Sequence, residues 1–534
     1  MKPLSARQKR KVERTLLNKR SYKAIIYGRF FTCLISAMLQ LALFAVFVFG
    51  IAYGSSAAVF VQLLSAVLAF VFVLYIINKN ERSSSKMSWI ILILIVPVFG
   101  VPMYLFNGDG RPTRKMKKQM YDARAEVLQR TEKFYGEKEL PVIANRGDGI
   151  ARYLAANCRY PVYYDGEIDY YKCGEEIFPV MKEELKKAEK FILLDYFIIG
   201  PGKMWGDILE ILKEKADLGV QVRIIYDDFG CMKTLPPKYE RYLASLHENI
   251  RAMKFNNVVP FFEVRMNNRD HRKILVIDGK VAFTGGFNLA DEYINMTSRY
   301  GYWKDSGVRV KGEAVASFTQ MFFYTWNAFR TDKEDIENYL IRYTPTEHTA
   351  ENTSFRVQPY DDSPLDSISA GEAVYVDVIN RAVRYAYIFT PYLILDDLLR
   401  AALCRAAMRG VDVRIVTPGI PDKKTVNRLT RANYAVLMKA GVKIYEYTPG
   451  FIHSKSILCD DEYAVVGTIN FDYRSLYLHF ENAVYFSGCD AVSDLKRDYE
   501  ETFAVSKLCT EENTKRGIFG RVFDSVLRVF ETLL

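Results

Sequence analysis

Two stretches of eighteen residues share one grammar, and that repetition constrains the chain more than any other feature. His271-Arg272-Lys273 is followed by four apolar residues, Asp278, six residues, then Gly285-Gly286-Phe287-Asn288. His453-Ser454-Lys455 is followed by Ser456 to Cys459, Asp460, six residues, then Gly467-Thr468-Ile469-Asn470. Ile274 to Ile277 is a continuous β-branched apolar run, which predicts a strand buried on both faces. Side chains at i and i+2 of a strand share a face, so each His points with its Lys. An imidazole beside an ammonium is a poor core pair and a good phosphate site. The glycines allow close approach of the backbone to a ligand, and Asn288 and Asn470 can donate to phosphate oxygens. A single His-x-Lys at a strand end is ordinarily a half-exposed pair. Here two of only five His occupy the same slot of a repeated pattern.

The chain has 534 residues, enough for two or three domains, and a formal charge of +10. A basic balance suits an anionic partner, nucleic acid or acidic lipid. The apolar segments favour lipid. Eight Cys are scattered without CxxC spacing, which argues against a zinc ribbon or a disulfide framework.

Residues 1–29 form a basic tail. Residues 30–106 hold three apolar stretches, about 30–52, 57–77 and 88–106. No charged residue occurs from Phe30 to Asn78, a run too long for one span and suited to a hairpin of two transmembrane helices. The third stretch contains Pro97, Gly100 and Pro102. Basic residues flank both ends of this region and ask to be cytoplasmic. Three full spans violate that, whereas a re-entrant third segment satisfies it. Residues 107–155 read as a juxtamembrane helical connector. Helix and buried strand then alternate through 156–340 and again through 355–510. Gly219-Val-Gln-Val-Arg-Ile echoes Gly410-Val-Asp-Val-Arg-Ile, which marks a duplication. The expected architecture is α/β: two mixed, mostly parallel sheets flanked by helices, related by a pseudo-two-fold axis that brings the two His-x-Lys edges together. One helix is expected at about 422–440. Residues 515–534 carry an amphipathic helix, with Phe519, Val522, Phe523, Val526, Phe530 and Leu533 on one face.

The paired motif resembles that of the phospholipase D superfamily. Within it the chain resembles bacterial cardiolipin synthases over nearly its whole length. Ser88-Trp89, Asn268-Arg269-Asp270, Asp291-Glu292-Tyr293, Tyr302-Trp303-Lys304-Asp305, Thr390-Pro391-Tyr392 and Phe471-Asp472-Tyr473-Arg474-Ser475 carry the finer resemblance. One departure stands out: where the superfamily often has Asn two residues before the Glu that follows the second motif, this chain has His479 before Glu481.

The resemblance implies duplicated phospholipase D-like halves behind N-terminal transmembrane helices, at the bacterial cell membrane. It implies transfer of a phosphatidyl group between two phosphatidylglycerol molecules, giving cardiolipin and glycerol through a phosphohistidine. No metal or cofactor is implied. The partners are phosphatidylglycerol, other anionic phospholipids and the membrane, with no nucleic acid; a homo-oligomer is compatible. The catalytic motif set is His271, Lys273 and Asp278 with His453, Lys455 and Asp460. His271 is read as nucleophile and His453 as acid/base. Lys273, Lys455, Asn288 and Asn470 are read as holding the phosphate, and Asp305 and Glu481 as orienting the imidazoles. Asp278 and Asp460 lie five residues beyond each Lys and are read as structural. The alternative is a phospholipase D or transphosphatidylase using water or another alcohol.

Overall fold

The computed structural model describes residues 58–108, 112–135, 148–258, 267–343, 355–514, 517–529 and 531, with scattered positions from 8 to 50. Most of the basic tail and part of the first apolar stretch lie outside the described residues.

The first half is built on β1 (Glu167–Tyr171), β2 (Phe191–Tyr196), β3 (Gln221–Asp227), β4 (Ile250–Phe255), β5 (Lys273–Ile277), β6 (Val281–Gly285), the short β7 (Tyr302–Lys304) and β8 (Gly307–Lys311). The second is built on β9 (Arg356–Asp362), β10 (Tyr385–Phe389), the short β11 (Leu393–Ile394), β12 (Asp412–Pro418), β13 (Lys443–Tyr447), the short β14 (Gly450–Ile452), β15 (Ser456–Cys459), β16 (Tyr463–Gly467), the short β17 (Phe471–Asp472), β18 (Glu481–Ser487) and β19 (Ser506–Leu508).

The sheet orders are β1-β8-β6-β5-β2-β3-β4 and β9-β18-β16-β15-β10-β12-β13-β19. They match strand for strand, with β19 an added edge. In each, two neighbouring pairs are parallel, β2–β3 and β3–β4, β10–β12 and β12–β13. The remaining pairs are antiparallel. The expected mixed sheets are present, but they are not mostly parallel. Helical crossovers join the three adjacent parallel strands of each half, while tight turns return β5 to β6 and β15 to β16.

Helix Val315–Phe329 is apolar on almost every side and is buried nearly throughout. It packs on β5 of the first half, β9 of the second and the connector helix Arg114–Tyr135, so one core runs through both halves. The helix expected at about 422–440 is two, Lys424–Ala432 and Tyr434–Lys439, separated at Asn433. Asn433 turns its side-chain amide to Leu393 O and Leu429 O and anchors β11 there.

Toward the N-terminus, helix Ala58–Asn78 carries no charge and leaves Val59, Phe60, Val67 and Phe70 exposed. The third apolar stretch is a broken pair, Ser83–Ile95 and Pro97–Asn107. Proline at the first position of the second helix forces the break, because Val96 before it must leave the helical region. Gly100 lets the pair fold back tightly: a Cβ there would lie 2.7 Å from Ile93 Cα. Among the described residues, no helix is long and apolar enough to cross a membrane. The amphipathic C-terminal helix, Ile518–Val529, packs on Lys424–Ala432 and Ser83–Ile95 and leaves Phe519, Val522, Phe523 and Val526 exposed.

Candidate active site

The two halves meet through their motif edges. Backbone N–H of His271 donates to Phe480 O at 2.8 Å, and that of His453 donates to Lys304 O at 2.7 Å. Phe480 and Lys304 immediately precede Glu481 and Asp305. Each histidine is thereby set beside an acid from the opposite half. His271 Nδ1 lies 2.8 Å from Glu481 Oε2, and His453 Nδ1 lies 2.7 Å from Asp305 Oδ2. Both acids are fully buried and both histidines less than a tenth exposed. A hydrogen bond at Nδ1 fixes the tautomer and leaves Nε2 for chemistry. Thr468 Oγ1 also donates to Glu481, fixing that carboxylate in turn.

The acidic partners were legible from sequence as an orienting pair. Their crossing was not, because it depends on backbone pairing across 210 and 148 residues.

Both imidazoles line one cavity of about 280 Å³. Its wall includes Phe197, Arg269, Asn288, Tyr293, Trp303, Tyr392, Lys423, Asn470, Arg474 and His479. Burial, then the ammonium of Lys273, holds the His271 pKa well below its usual value. Burial, then Lys455, pushes His453 down to about 4. Burial also pushes Lys273 down to about 8 and Lys455 to about 7. Burial raises the Asp305 carboxyl, but His453 and Lys455 outweigh it and hold it below its usual range. The ammonium groups of Lys273 and Lys455 donate to the carbonyls of His271 and His453; both lysines are fully buried and stand behind the residues that line the cavity.

The motif asparagines line the cavity but are engaged inside the protein. Asn288 accepts from Ile198 N at 2.9 Å and donates to Tyr293 OH at 2.6 Å. Asn470 donates to Ser475 Oγ at 3.0 Å. Each keeps one amide N–H for another acceptor.

Asp278 and Asp460, part of the motif but read as structural, are not among the residues that line the cavity. Asp278 accepts from the backbone N–H of Glu189, Lys190 and Phe191 at 2.7–2.8 Å. Asp460 accepts from those of Val383, Arg384 and Tyr385 at 2.7–2.9 Å. Each carboxylate pins the entry into the central strand of its sheet, β2 or β10, from the turn after its motif strand.

The motif glycines make room for protein more than for ligand. A Cβ on Gly286 would fall 2.0 Å from Asp305 Oδ1, and one on Gly467 would fall 2.4 Å from Asn482 O. They permit the close approach that sets the crossed acids.

Arg269, Arg474, Trp303 and Tyr293 lay in the blocks that carried the family resemblance, and no spacing rule singled them out as wall residues. His479, read from sequence as a local departure, sits on the wall with its ring 5.5 Å from that of His271.

The family model "Cardiolipin synthase, PLD-like domain" matches residues 181–326 and 375–503, one segment in each half. Cardiolipin synthase 1 of Staphylococcus aureus strain MRSA252 is 31% identical over 88% of this chain and 95% of its own length. The chain belongs to the phospholipase D-like cardiolipin synthase family. An uncharacterized protein of Streptococcus mutans is 44% identical over 86% of this chain and 99% of its own. A second family model, of the phospholipase D-nuclease N-terminal segment, matches residues 67–108. Among solved structures, the phosphatidylserine synthase of Haemophilus influenzae superposes with a TM-score of 0.53 at 14% identity, over 69% of this chain and 95% of that one. That likeness supports the duplicated fold of a cardiolipin synthase-type chain and nothing finer.

Proposed function

We propose that this protein is a cardiolipin synthase, a phosphatidyltransferase that joins two phosphatidylglycerol molecules and releases glycerol. The observation that carries the reading is the convergence of two buried imidazoles on one cavity, each held at Nδ1 by an acid from the other half. In the first step Nε2 of His271 attacks phosphorus, a P–N bond forms, and the P–O bond to the head-group glycerol breaks. His453, favoured in its protonated form by the bound phosphodiester anion and Asp305, gives its Nε2 proton to the departing oxygen. In the second step His453 takes the proton of a hydroxyl on the second phosphatidylglycerol; that oxygen attacks phosphorus and the P–N bond breaks. His271 suits the nucleophile because burial and two neighbouring ammonium groups keep it unprotonated. Lys273, Lys455 and the free amide hydrogens of Asn288 and Asn470 neutralise the phosphate oxygens as charge develops. One phosphodiester is exchanged for another, so no nucleotide is consumed.

The experiment is incubation of purified protein with phosphatidylglycerol in mixed micelles, with products followed by lipid mass spectrometry. His271→Ala and His453→Ala each lower cardiolipin formation by about 10²–10⁴-fold or more. Undiminished synthesis in either variant rejects the scheme. Phosphatidic acid as the main product assigns the protein to hydrolysis instead.

Membrane attachment belongs to the same reading. The charge-free helix Ala58–Asn78 with its exposed apolar side chains supports an arm seated in the bilayer, and the fold-back at Pro97 supports a segment that returns to its own side. The catalytic halves then face the cytoplasm. Cysteine placed at the exposed Met408 resists a membrane-impermeant maleimide in intact cells and reacts after lysis. Labelling in intact cells reverses the orientation.

A further inference from the structure

His479 is a wall residue to which the proposed lipid chemistry gives no task. Among the described residues, neither of its ring nitrogens nor Glu481 Oε1 has a hydrogen-bond partner. Buried polar atoms without partners are costly, and two of them, His479 Nδ1 and Glu481 Oε1, face one another at 3.4 Å. An imidazole offers a metal one nitrogen lone pair, and a carboxylate offers an oxygen. One donor atom each from His271, His479 and Glu481 lies within 4.8 Å of the others.

Two neutral imidazoles and one carboxylate are a donor set of three-ligand zinc sites, which leave the fourth tetrahedral position open. Metal–ligand bonds of about 2.0–2.2 Å at a tetrahedral angle put neighbouring donors about 3.3–3.5 Å apart. The His479–Glu481 separation of 3.4 Å meets that requirement as it stands. Lys273, Lys455 and Arg474 oppose a cation here. Calcium and magnesium, which gain little from nitrogen ligands, do not overcome that repulsion. A borderline-soft ion recovers it through two metal–nitrogen bonds.

We propose that His271, His479 and Glu481 form a binding site for a divalent transition ion, with Zn²⁺ the best match, and that the bound ion switches the enzyme off by occupying the attacking imidazole and its orienting carboxylate. The site depends on the geometry of these three residues and not on the lipid reaction assigned to them. It exists in this chain because histidine replaces the asparagine often found there.

The test uses the full-length protein in detergent, stripped with a chelator and desalted. Zn²⁺ is titrated in competition with a chromogenic chelator, and Co²⁺ is added separately as a spectroscopic probe. The wild type binds one Zn²⁺ that His479→Asn loses, with affinity falling about 10–100-fold. The visible Co²⁺ band of a tetrahedral site is present in the wild type and absent from His479→Asn. His479→Cys restores it with an added sulfur-to-metal charge-transfer band, which separates loss of a ligand from loss of the fold. For each protein, cardiolipin formation is expressed relative to its own metal-free rate, and the zinc inhibition midpoint shifts upward by about 10-fold or more in His479→Asn. Equal zinc affinity in wild type and His479→Asn overturns the proposal, as does a cobalt spectrum unaltered in His479→Cys. Zinc binding through His479 without any cardiolipin synthesis leaves the site standing and removes the lipid reading; synthesis without such binding does the reverse.

Discussion

His271 and His453 share the same burial and the same tautomer-fixing contact, but their surroundings differ. His271 lies against Phe197 and His479, whereas His453 is ringed by Tyr293, Trp303 and Phe451. Glu481 and Asp305 act through them and touch no reacting atom, so they are positioning residues. Glu481→Gln and Asp305→Asn keep the shape of the site while removing the anionic hydrogen-bond acceptor. Each is expected to lower kcat by about 10²-fold with KM for phosphatidylglycerol little changed, because misorientation by about 1 Å costs that much. Steady-state kinetics in mixed micelles over several pH values check this; a rise in KM with kcat intact removes the positioning role. At this scale the sequence was informative wherever a residue type recurred in both motifs. It was silent on Arg269 and Trp303, which have no counterpart in a repeated slot.

The turns after β5 and β15 show what the last motif residue does. Asp278 and Asp460 both adopt left-handed backbone conformations, with φ of 52° and 54°. Both spend their oxygens on three consecutive N–H groups at the start of a neighbouring strand. Asp278→Ala strands three buried or half-buried donors and is expected to cost about 3 kcal/mol, and Asp460→Ala, whose donors are more exposed, about 1 kcal/mol. The urea midpoint reads this, and the fraction that remains folded keeps its turnover. Loss of turnover without loss of stability would return these residues to the chemistry. The spacing of five beyond Lys was enough to place them off the reacting face, since a strand rises about 3.3 Å per residue. Other elements were less legible. The alternation of helix and strand, with strands read at 191–199, 220–226, 386–392 and 411–417, meets β3 and β12 within one residue and overruns β2 and β10 by three, but it is equally consistent with an all-parallel sheet. The antiparallel pairs β5–β6 and β15–β16 are joined by turns too short to leave a periodic signal. The apolar run at 88–106 and the helix at about 422–440 each continue through a break set by one residue, Pro97 or Asn433.

Across the whole molecule, buried cationic groups tie stability to pH. His453 titrates at about 4 in the folded chain against 6.5 for an ordinary histidine, and His271 is shifted in the same direction. The unfolded chain therefore takes up these protons first. The stability these groups leave intact above pH 6.5 is lost as pH falls from there toward 4. Denaturant midpoints measured between those limits should fall with pH, and more shallowly in His453→Ala. An equal slope in both proteins contradicts the burial argument. The duplication was plain in the sequence and so was the need for its copies to meet. What local patterning could not reveal is that each copy finishes the other's imidazole.

That exchange of acids between copies has a consequence for the gene. Duplication ordinarily supplies a spare, and one copy is free to decay while its twin carries the load. Here a lesion at Glu481 disables His271, and one at Asp305 disables His453. Neither copy can act as a backup for its sibling, and the two are bound to drift together.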